Sequence, residues 1–479
     1  MTTTRRLRLH TPPAGALASG IASVQRELGL PTAFPPEVEQ AAVAAAANPR
    51  WPDADRTDIE LVTIDPPDAM DLDQAMFVQR NGDGYRVHYA IADVAAFVIA
   101  GDAIDLEAHR RGETLYGADA KISLHPKVLS EDAASLLPGQ VRAALLWTIE
   151  LDASGEGIAV DVRRARIRSR AKLDYAGVQQ QINNGTAEPM WAVLREIGEL
   201  RKQRERRRGG VSLPLPEQEI RVEAGHWSLE FRARHPVEDW NEQISLLTGM
   251  AAAHLMVEHG VGLLRTLPEA DPRDLARLHR TARALGIDWP QSRRYPDFIR
   301  SLDPAAPRDV AMMTACTSVL RGAGYLAFDG VVPAHSQHSA LAAQYTHVTA
   351  PLRRLVDRYT GETCVALCAG KPVPQWVLDA LPGLPATMQE SSRRASRYEN
   401  ALLDLAEAAA LASRVGEIFE GAIVDIDPKD PQQGEVMLRD PAILARVAAG
   451  RPLPLGEQVK VRLLEADPAT RRIRFALVE

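Results

Sequence analysis

Apolar residues along this chain change their spacing three times, and each change predicts a different kind of structure. Residues 1–50 are Ala-rich, with helical spacing over 21–28 and 37–47 and breaks at Pro31 and Pro35-Pro36. From about residue 51 the pattern turns strand-like. Leu61-Val62-Thr63-Ile64 reads as a short buried strand, and 85–91, 142–151 and 159–169 alternate or run with β-branched residues. Helix-length periodicity then takes over, across 240–264, 272–285, 310–326 and 386–416. The last stretch returns to short runs at 421–426, 435–438, 458–464 and 472–477, separated by turn residues. Four short strands with room for a fifth predict an OB-type β-barrel. Strands followed by helices predict an α+β fold. The expected division is a helical element over 1–50, a large mixed unit over 51–415 and a small barrel over 416–479.

A length of 479 residues allows a large core and two or three domains. No uninterrupted apolar run reaches the roughly eighteen residues of a membrane span. The N-terminus is basic but leads into Thr11-Pro12-Pro13 rather than an apolar signal core, so a cytoplasmic protein is the expectation. Cys316, Cys364 and Cys368 are too few for a disulfide framework. Cys364 and Cys368 sit four apart on an expected helix, and read better as small apolar residues than as half a zinc site.

Net charge is −7, which argues against a generally basic nucleic-acid coat. Basic residues are nonetheless clustered. One cluster holds Arg163, Arg164, Arg166, Arg168, Arg170 and Lys172, a second fills six of the eight positions 201–208, and a third is Arg393, Arg394 and Arg397. Any one of them could be a solvated face. Together they allow a local positive channel able to track a phosphate backbone.

The candidate chemistry lies in Asp65-Pro66-Pro67-Asp68-Ala69-Met70-Asp71-Leu72-Asp73. An extended backbone points Asp71 and Asp73 to one side, and the prolines can fold Asp65 back toward them. Carboxylates this close repel unless something compensates, and a hard cation such as Mg²⁺ or Mn²⁺ would do so. Taken alone, such a cluster is more often an acidic solvated turn.

Further motifs follow in a fixed order. They are Ala90-Ile91-Ala92-Asp93-Val94, Asp105-Leu106-Glu107-Ala108, Arg110-Arg111-Gly112-Glu113-Thr114-Leu115-Tyr116, Leu129-Ser130-Glu131-Asp132, Ser135-Leu136-Leu137-Pro138 and, far downstream, the run from Tyr345 to Asp357. In this order and spacing the chain resembles the ribonuclease II (RNB) family of 3′→5′ exoribonucleases, from about Arg56 to the C-terminus. The resemblance implies a metal-dependent hydrolase that degrades single-stranded RNA to nucleoside 5′-monophosphates, ending in an S1 RNA-binding barrel. Bacterial members usually open with cold-shock-type barrels, whereas residues 1–50 leave room only for a short helical element, either a nucleic-acid module or a structural lid. A monomer needing no protein partner is expected.

Residue by residue, the resemblance implies that Asp65, Asp71 and Asp73 hold Mg²⁺ or Mn²⁺, with Asp73 the most sensitive. The family's next residue is a further aspartate. Here it is Gln74, whose amide oxygen can coordinate but carries no charge. Arg353 matches the arginine that contacts the scissile phosphate, and Pro351 places it in the expected first turn of a helix. Tyr116 matches a tyrosine that stacks on the 3′-terminal base. Arg354, Tyr345, His347, Glu242 and Glu399 are further candidate RNA contacts, although His347 alone would read as a satisfied buried histidine. Competing readings are an RNA clamp weakened at Gln74, an Asp-x-Asp sugar-nucleotide transferase and an aspartyl-phosphate phosphatase. The second lacks a Gly-rich strand–helix turn. The third needs a hydrophobic strand ending at the first aspartate, where Ala69-Met70 stands instead.

Overall fold

The computed structural model describes residues 16–478, apart from 118–120, 214–216, 224–225, 233, 305 and 439–442. It is an α+β protein built around a six-stranded sheet. Across the sheet the strands run Gly157–Arg168, Val141–Leu151, Gly84–Ala92, Gln74–Asn81, Val62–Ile64 and Ala171–Leu173. Neighbours are antiparallel except the last pair, where Val62 stands beside Ala171 in parallel register.

Both faces of the sheet are covered. On one, Tyr89, Trp147 and Val87 pack with Trp191, Leu194, Trp240 and Ile244 from the helices Pro189–Arg208 and Pro236–Glu258. Those helices cross so closely that a Cβ at Gly198 would lie 2.6 Å from the Trp240 ring. The other face presents small residues, Ala75, Ala90, Ala144 and Ala165, and takes Val38 and Ala42 of the Pro36–Ala47 helix with Phe97 and Leu136. Small side chains on this face leave room for loops to lie against it, and the acidic segment is one of them.

Several expectations need correction. Gln74–Asn81 is a strand that the sequence pattern had not assigned. It pairs with Gly84–Ala92 through the two-residue turn Gly82-Asp83, where Gly82 has φ of +59°. The helix expected over 240–264 ends at Glu258. Gly260 turns the chain at φ +71°, and Val261–Thr266 becomes a strand. Its partner is Gly324–Asp329, whose first three residues fall in the helix expected over 310–326; that helix ends at Cys316. Short apolar runs do not distinguish helix from strand, and here cross-chain pairing decided.

The C-terminal barrel is closed by five strands, Ile418–Asp427, Asp430–Leu438, Leu444–Ala448, Gln458–Asp467 and Arg472–Leu477. The expected fifth strand is Leu444–Ala448. Phe419, Ile423, Val436, Val461 and Phe475 fill the interior.

The N-terminal helix Ala16–Glu27 packs on the long helix Leu384–Leu411. Ile21 and Val24 are buried with Tyr398, Leu402 and Leu405, and the same cluster contains Leu115 and Ile122. Glu27 also accepts from both terminal nitrogens of Arg471 in the barrel, at 2.8 and 3.0 Å. This helix therefore braces the barrel against the central unit. Cys316 and Cys364 are buried and Cys368 is half-buried, all as free thiols, in line with their reading as packing residues.

His125 is 2% exposed, and burial pushes its pKa down to about 3. In the unfolded chain it titrates near 6.5, so below that pH the unfolded state binds a proton that the folded state excludes. Stability is therefore lost as pH falls. By pH 5 this one group should cost about 2 kcal/mol. Urea unfolding of His125→Asn should show a shallower loss between pH 7 and 5 than the parent. Identical slopes would contradict this.

Candidate active site

The acidic segment leaves the sheet at Ile64 and re-enters it at Gln74, so both ends are fixed by strands. Its middle is pinned by side chains. Lys172 Nζ donates to the carbonyls of Pro67 at 2.6 Å and Ala69 at 2.5 Å. Ser135 Oγ donates to Met70 O at 2.6 Å and accepts from Leu72 N at 2.9 Å. A loop so held cannot relax its carboxylates apart.

Asp73 is the most enclosed of them. Its Oδ1 accepts from the Leu352 backbone N–H at 2.7 Å, and its Oδ2 lies 3.3 Å from Arg353 Nε. Burial pushes its carboxyl up to about 8; Arg353 opposes the rise and Asp71 adds to it. Burial likewise raises Asp65, to about 7, against the pull of Arg353 and Lys172 and with a further push from Asp71. In both, burial outweighs the pull of Arg353, and Asp71 adds to the rise. Asp71 is held by Lys121, whose ammonium lies 2.6 Å from its Oδ1 and 3.0 Å from Glu131 Oε1. Burial opposes the charge on Lys121, but the two carboxylates outweigh it and raise its pKa.

The donors therefore suit a hard divalent ion in kind and in charge. Among the described residues, however, no three His, Cys, Asp or Glu side chains are gathered in ligating geometry. Asp71 is turned to Lys121 and Asp73 to the Leu352–Arg353 turn.

Gln74 begins its strand with both ends of its amide engaged. Its Nε2 donates to Thr349 O at 2.6 Å, and its Oε1 accepts from the Tyr89 hydroxyl at 2.5 Å. Tyr89 in turn lies 2.7 Å from Ser245 Oγ. The oxygen expected to face an ion thus has a protein donor.

Arg353 lies just outside the helix Leu355–Cys368, not in its first turn, because Arg354 is the N-cap. Arg353 and Arg354 both donate backbone N–H groups to Ala350 O, at 3.2 and 2.9 Å, in a tight turn. The Arg353 side chain is 37% exposed overall, with its Nε buried against Asp73. Arg354 is committed elsewhere, to Asp357 through contacts of 2.6 and 2.9 Å. Asp357 Oδ1 also accepts from Ala350 N at 2.7 Å, which ties the turn to the helix.

Tyr116 is 42% exposed and close enough to act electrostatically on Arg353. Tyr345 is buried, edge-on to His347 at 5.5 Å. His347 has its Nδ1 2.6 Å from the Tyr325 hydroxyl, and burial holds its pKa well below the usual range. Glu242 accepts from Arg234 at 2.9 Å. Glu399 is half-buried on the Leu384–Leu411 helix. Much of the basic charge is paired locally: Arg164 bonds Asp93 at 2.8 Å and also Glu362, while Arg170 pairs with Glu188 and Arg204 with Glu156. Sequence reasoning missed Lys121, Thr349 and Tyr89. Lys121 and Thr349 meet partners distant in the chain, and Tyr89 meets Gln74 only across a hairpin that the sequence pattern does not mark.

A buried aspartate paired with a partly exposed arginine, next to two further acids, is an arrangement suited to a phosphate and a cation. Comparison with known proteins agrees. The RNB domain model matches residues 54–365, and the C-terminal S1 domain of RNase II-type exonucleases matches 417–478. The chain belongs to the RNB family of exoribonucleases.

It is 26% identical to ribonuclease R of Thermotoga maritima over 497 aligned positions, covering 95% of this chain and 70% of that protein. Against ribonuclease R of Escherichia coli the identity is 25%, over 88% of this chain and 57% of the relative. The fold matches Mycoplasma genitalium RNase R in complex with ribose-methylated single-stranded RNA, with TM-score 0.85, 19% identity and coverage of 96% and 78%. It also matches yeast Ssd1, a pseudonuclease, with TM-score 0.71, 17% identity and coverage of 97% and 58%. The fold thus occurs with and without activity, and the side chains of the site must decide. Among the described residues no helix is long and apolar enough to cross a membrane.

Replacing Gln74 with Glu would set a carboxylate against the Thr349 carbonyl where an N–H now donates. The variant should lose about 1–3 kcal/mol, the cost of an unsatisfied buried polar group. Urea unfolding at pH 7.5 measures it. Unchanged stability would show that the crosslink does not hold the Thr349–Arg353 segment.

Proposed function

We propose that the chain is a divalent-metal-dependent 3′→5′ exoribonuclease that degrades single-stranded RNA to nucleoside 5′-monophosphates. The observation that carries this is the contact between Asp73 and Arg353, 280 positions apart, in a segment that also holds Asp65 and Asp71. Asp65, Asp71 and Asp73 would hold Mg²⁺, with Mn²⁺ as a substitute. Such an ion supplies an activated water and a clamp on phosphoryl oxygens.

The chain's own groups do the rest. Arg353 presents planar N–H donors where negative charge develops on the phosphate. Asp73 keeps that guanidinium aimed, and the Leu352 N–H keeps Asp73 aimed. Tyr116 offers an exposed ring for stacking, which suits any base. Arg354 supports the turn through Asp357, and Arg354, Tyr345 and His347 would act on RNA from behind Arg353. Glu242 and Glu399 lie on the two long helices and would meet RNA at the rim. The barrel over 416–479 would grip RNA remotely, behind a catalytic unit over 51–415, with the helices of 1–50 as a brace. We place the protein in the cytoplasm as a monomer.

The test is end-labelled single-stranded RNA incubated with the parent and with Asp73→Asn, with and without EDTA. The asparagine keeps an oxygen for Leu352 N–H but removes the charge and the acceptor that faces Arg353. Turnover should fall by about a hundredfold or more, while RNA affinity stays near that of the parent. EDTA should stop the parent, and its 5′-labelled substrate should shorten from the 3′ end. Substantial turnover by the variant would overturn the assignment. Binding without turnover by the parent would favour an RNA clamp.

A further inference from the structure

Leu115–Tyr116 and Lys121–Ile122 form a two-residue antiparallel ladder beside the acidic segment, with Tyr116 opposite Lys121. Neighbouring strand residues point to opposite faces. Leu115 and Ile122 are buried on one face, with Ile21, Val24 and Leu30 of the N-terminal element. Tyr116 and Lys121 share the other face, toward the site. The Lys121 ammonium lies 2.6 Å from Asp71 Oδ1 and 3.0 Å from Glu131 Oε1, with its side chain only 19% exposed. Exposed lysine pairs are solvated and weak. This one is sheltered, anchored at two points, and carried on a ladder braced from behind.

The charges around the site can be counted. Four carboxylates, Asp65, Asp71, Asp73 and Glu131, stand with three cations, Lys121, Lys172 and Arg353. Gln74 adds none. When all seven are ionised, one negative charge remains, too little to hold two divalent ions tightly.

We propose that Lys121 is a built-in cation of this site, which takes Asp71 as its counter-ion and limits the acidic segment to one loosely held divalent metal ion. The inference rests on the metal-dependent reading above. Lys121 is a positioning residue: it acts on the metal through Asp71. Its removal should free an oxygen ligand and take away a positive charge that repels the ion. Damage to the fold alone would weaken metal binding, so the expected direction is diagnostic.

The experiment is Mn²⁺ binding to the full chain, measured by calorimetry and by electron paramagnetic resonance, without RNA. The parent should bind one Mn²⁺, and Asp73→Asn should lose it. Lys121→Met should bind Mn²⁺ about tenfold more tightly or take up a second ion, as expected when a like charge within a few ångströms is removed. Lys121→Arg, which keeps the charge, should resemble the parent. If the Met variant does not fold, Lys121→Gln takes its place. Two ions on the parent, or affinity in the neutral variant equal to or below the parent's, would overturn the proposal while leaving the metal-dependent reading intact. Mn²⁺ binding unaffected by Asp73→Asn, or absent from every form, would overturn both.

Discussion

The site depends on one buried carboxylate. Asp73 sits at the end of the acidic segment and reaches across to the turn before the Leu355–Cys368 helix, where it takes the Leu352 N–H and faces Arg353. That contact joins two halves of the site that lie on separate elements. A buried carboxylate is costly unless donors surround it. Here burial outweighs Arg353 and lifts the carboxyl to about 8. A divalent ion beside it would favour the charged form. The same contact orients Arg353, which is partly exposed, whereas Arg354 is spent on Asp357.

The surrounding architecture serves to hold this contact still. One face of the sheet is sealed by large aromatics and two closely crossing helices. The other is lined with alanine, which lets the acidic segment and the residue-350 turn approach the strands. Gln74, Tyr89, Ser245 and Thr349 form a second crosslink between the same two regions through neutral groups. The N-terminal helix reaches both the barrel, through Glu27 and Arg471, and the ladder bearing Tyr116 and Lys121. Relatives with this fold include a pseudonuclease, so the scaffold can persist without chemistry.

Much of this was legible in the sequence, for physical reasons that differ by element. Strands 85–91, 142–151 and 159–169 were readable because each alternates or runs with β-branched residues between turn signals. The acidic segment was readable because so many carboxylates in nine residues demand a partner, and the run from Tyr345 to Asp357 supplied one by resemblance. The strands Val261–Thr266 and Gly324–Asp329 were not, because each is a short apolar run whose identity depends on pairing with the other. Lys121 was hidden because nothing in its neighbours marks it; only the fold brings it to Asp71. Gln74 looked like a ligand position that had lost its charge, and the structure shows its amide engaged at both ends.

The central claim is that Asp65, Asp71 and Asp73 hold a metal ion beside a phosphate bound by Arg353. Anomalous diffraction from crystals grown with Mn²⁺ and a non-cleavable phosphorothioate RNA tests it most directly. A Mn²⁺ peak among these three carboxylates, with the 3′-terminal phosphate on the Arg353 guanidinium, is the result predicted. A peak elsewhere, or RNA whose 3′ end lies away from Arg353, would contradict it.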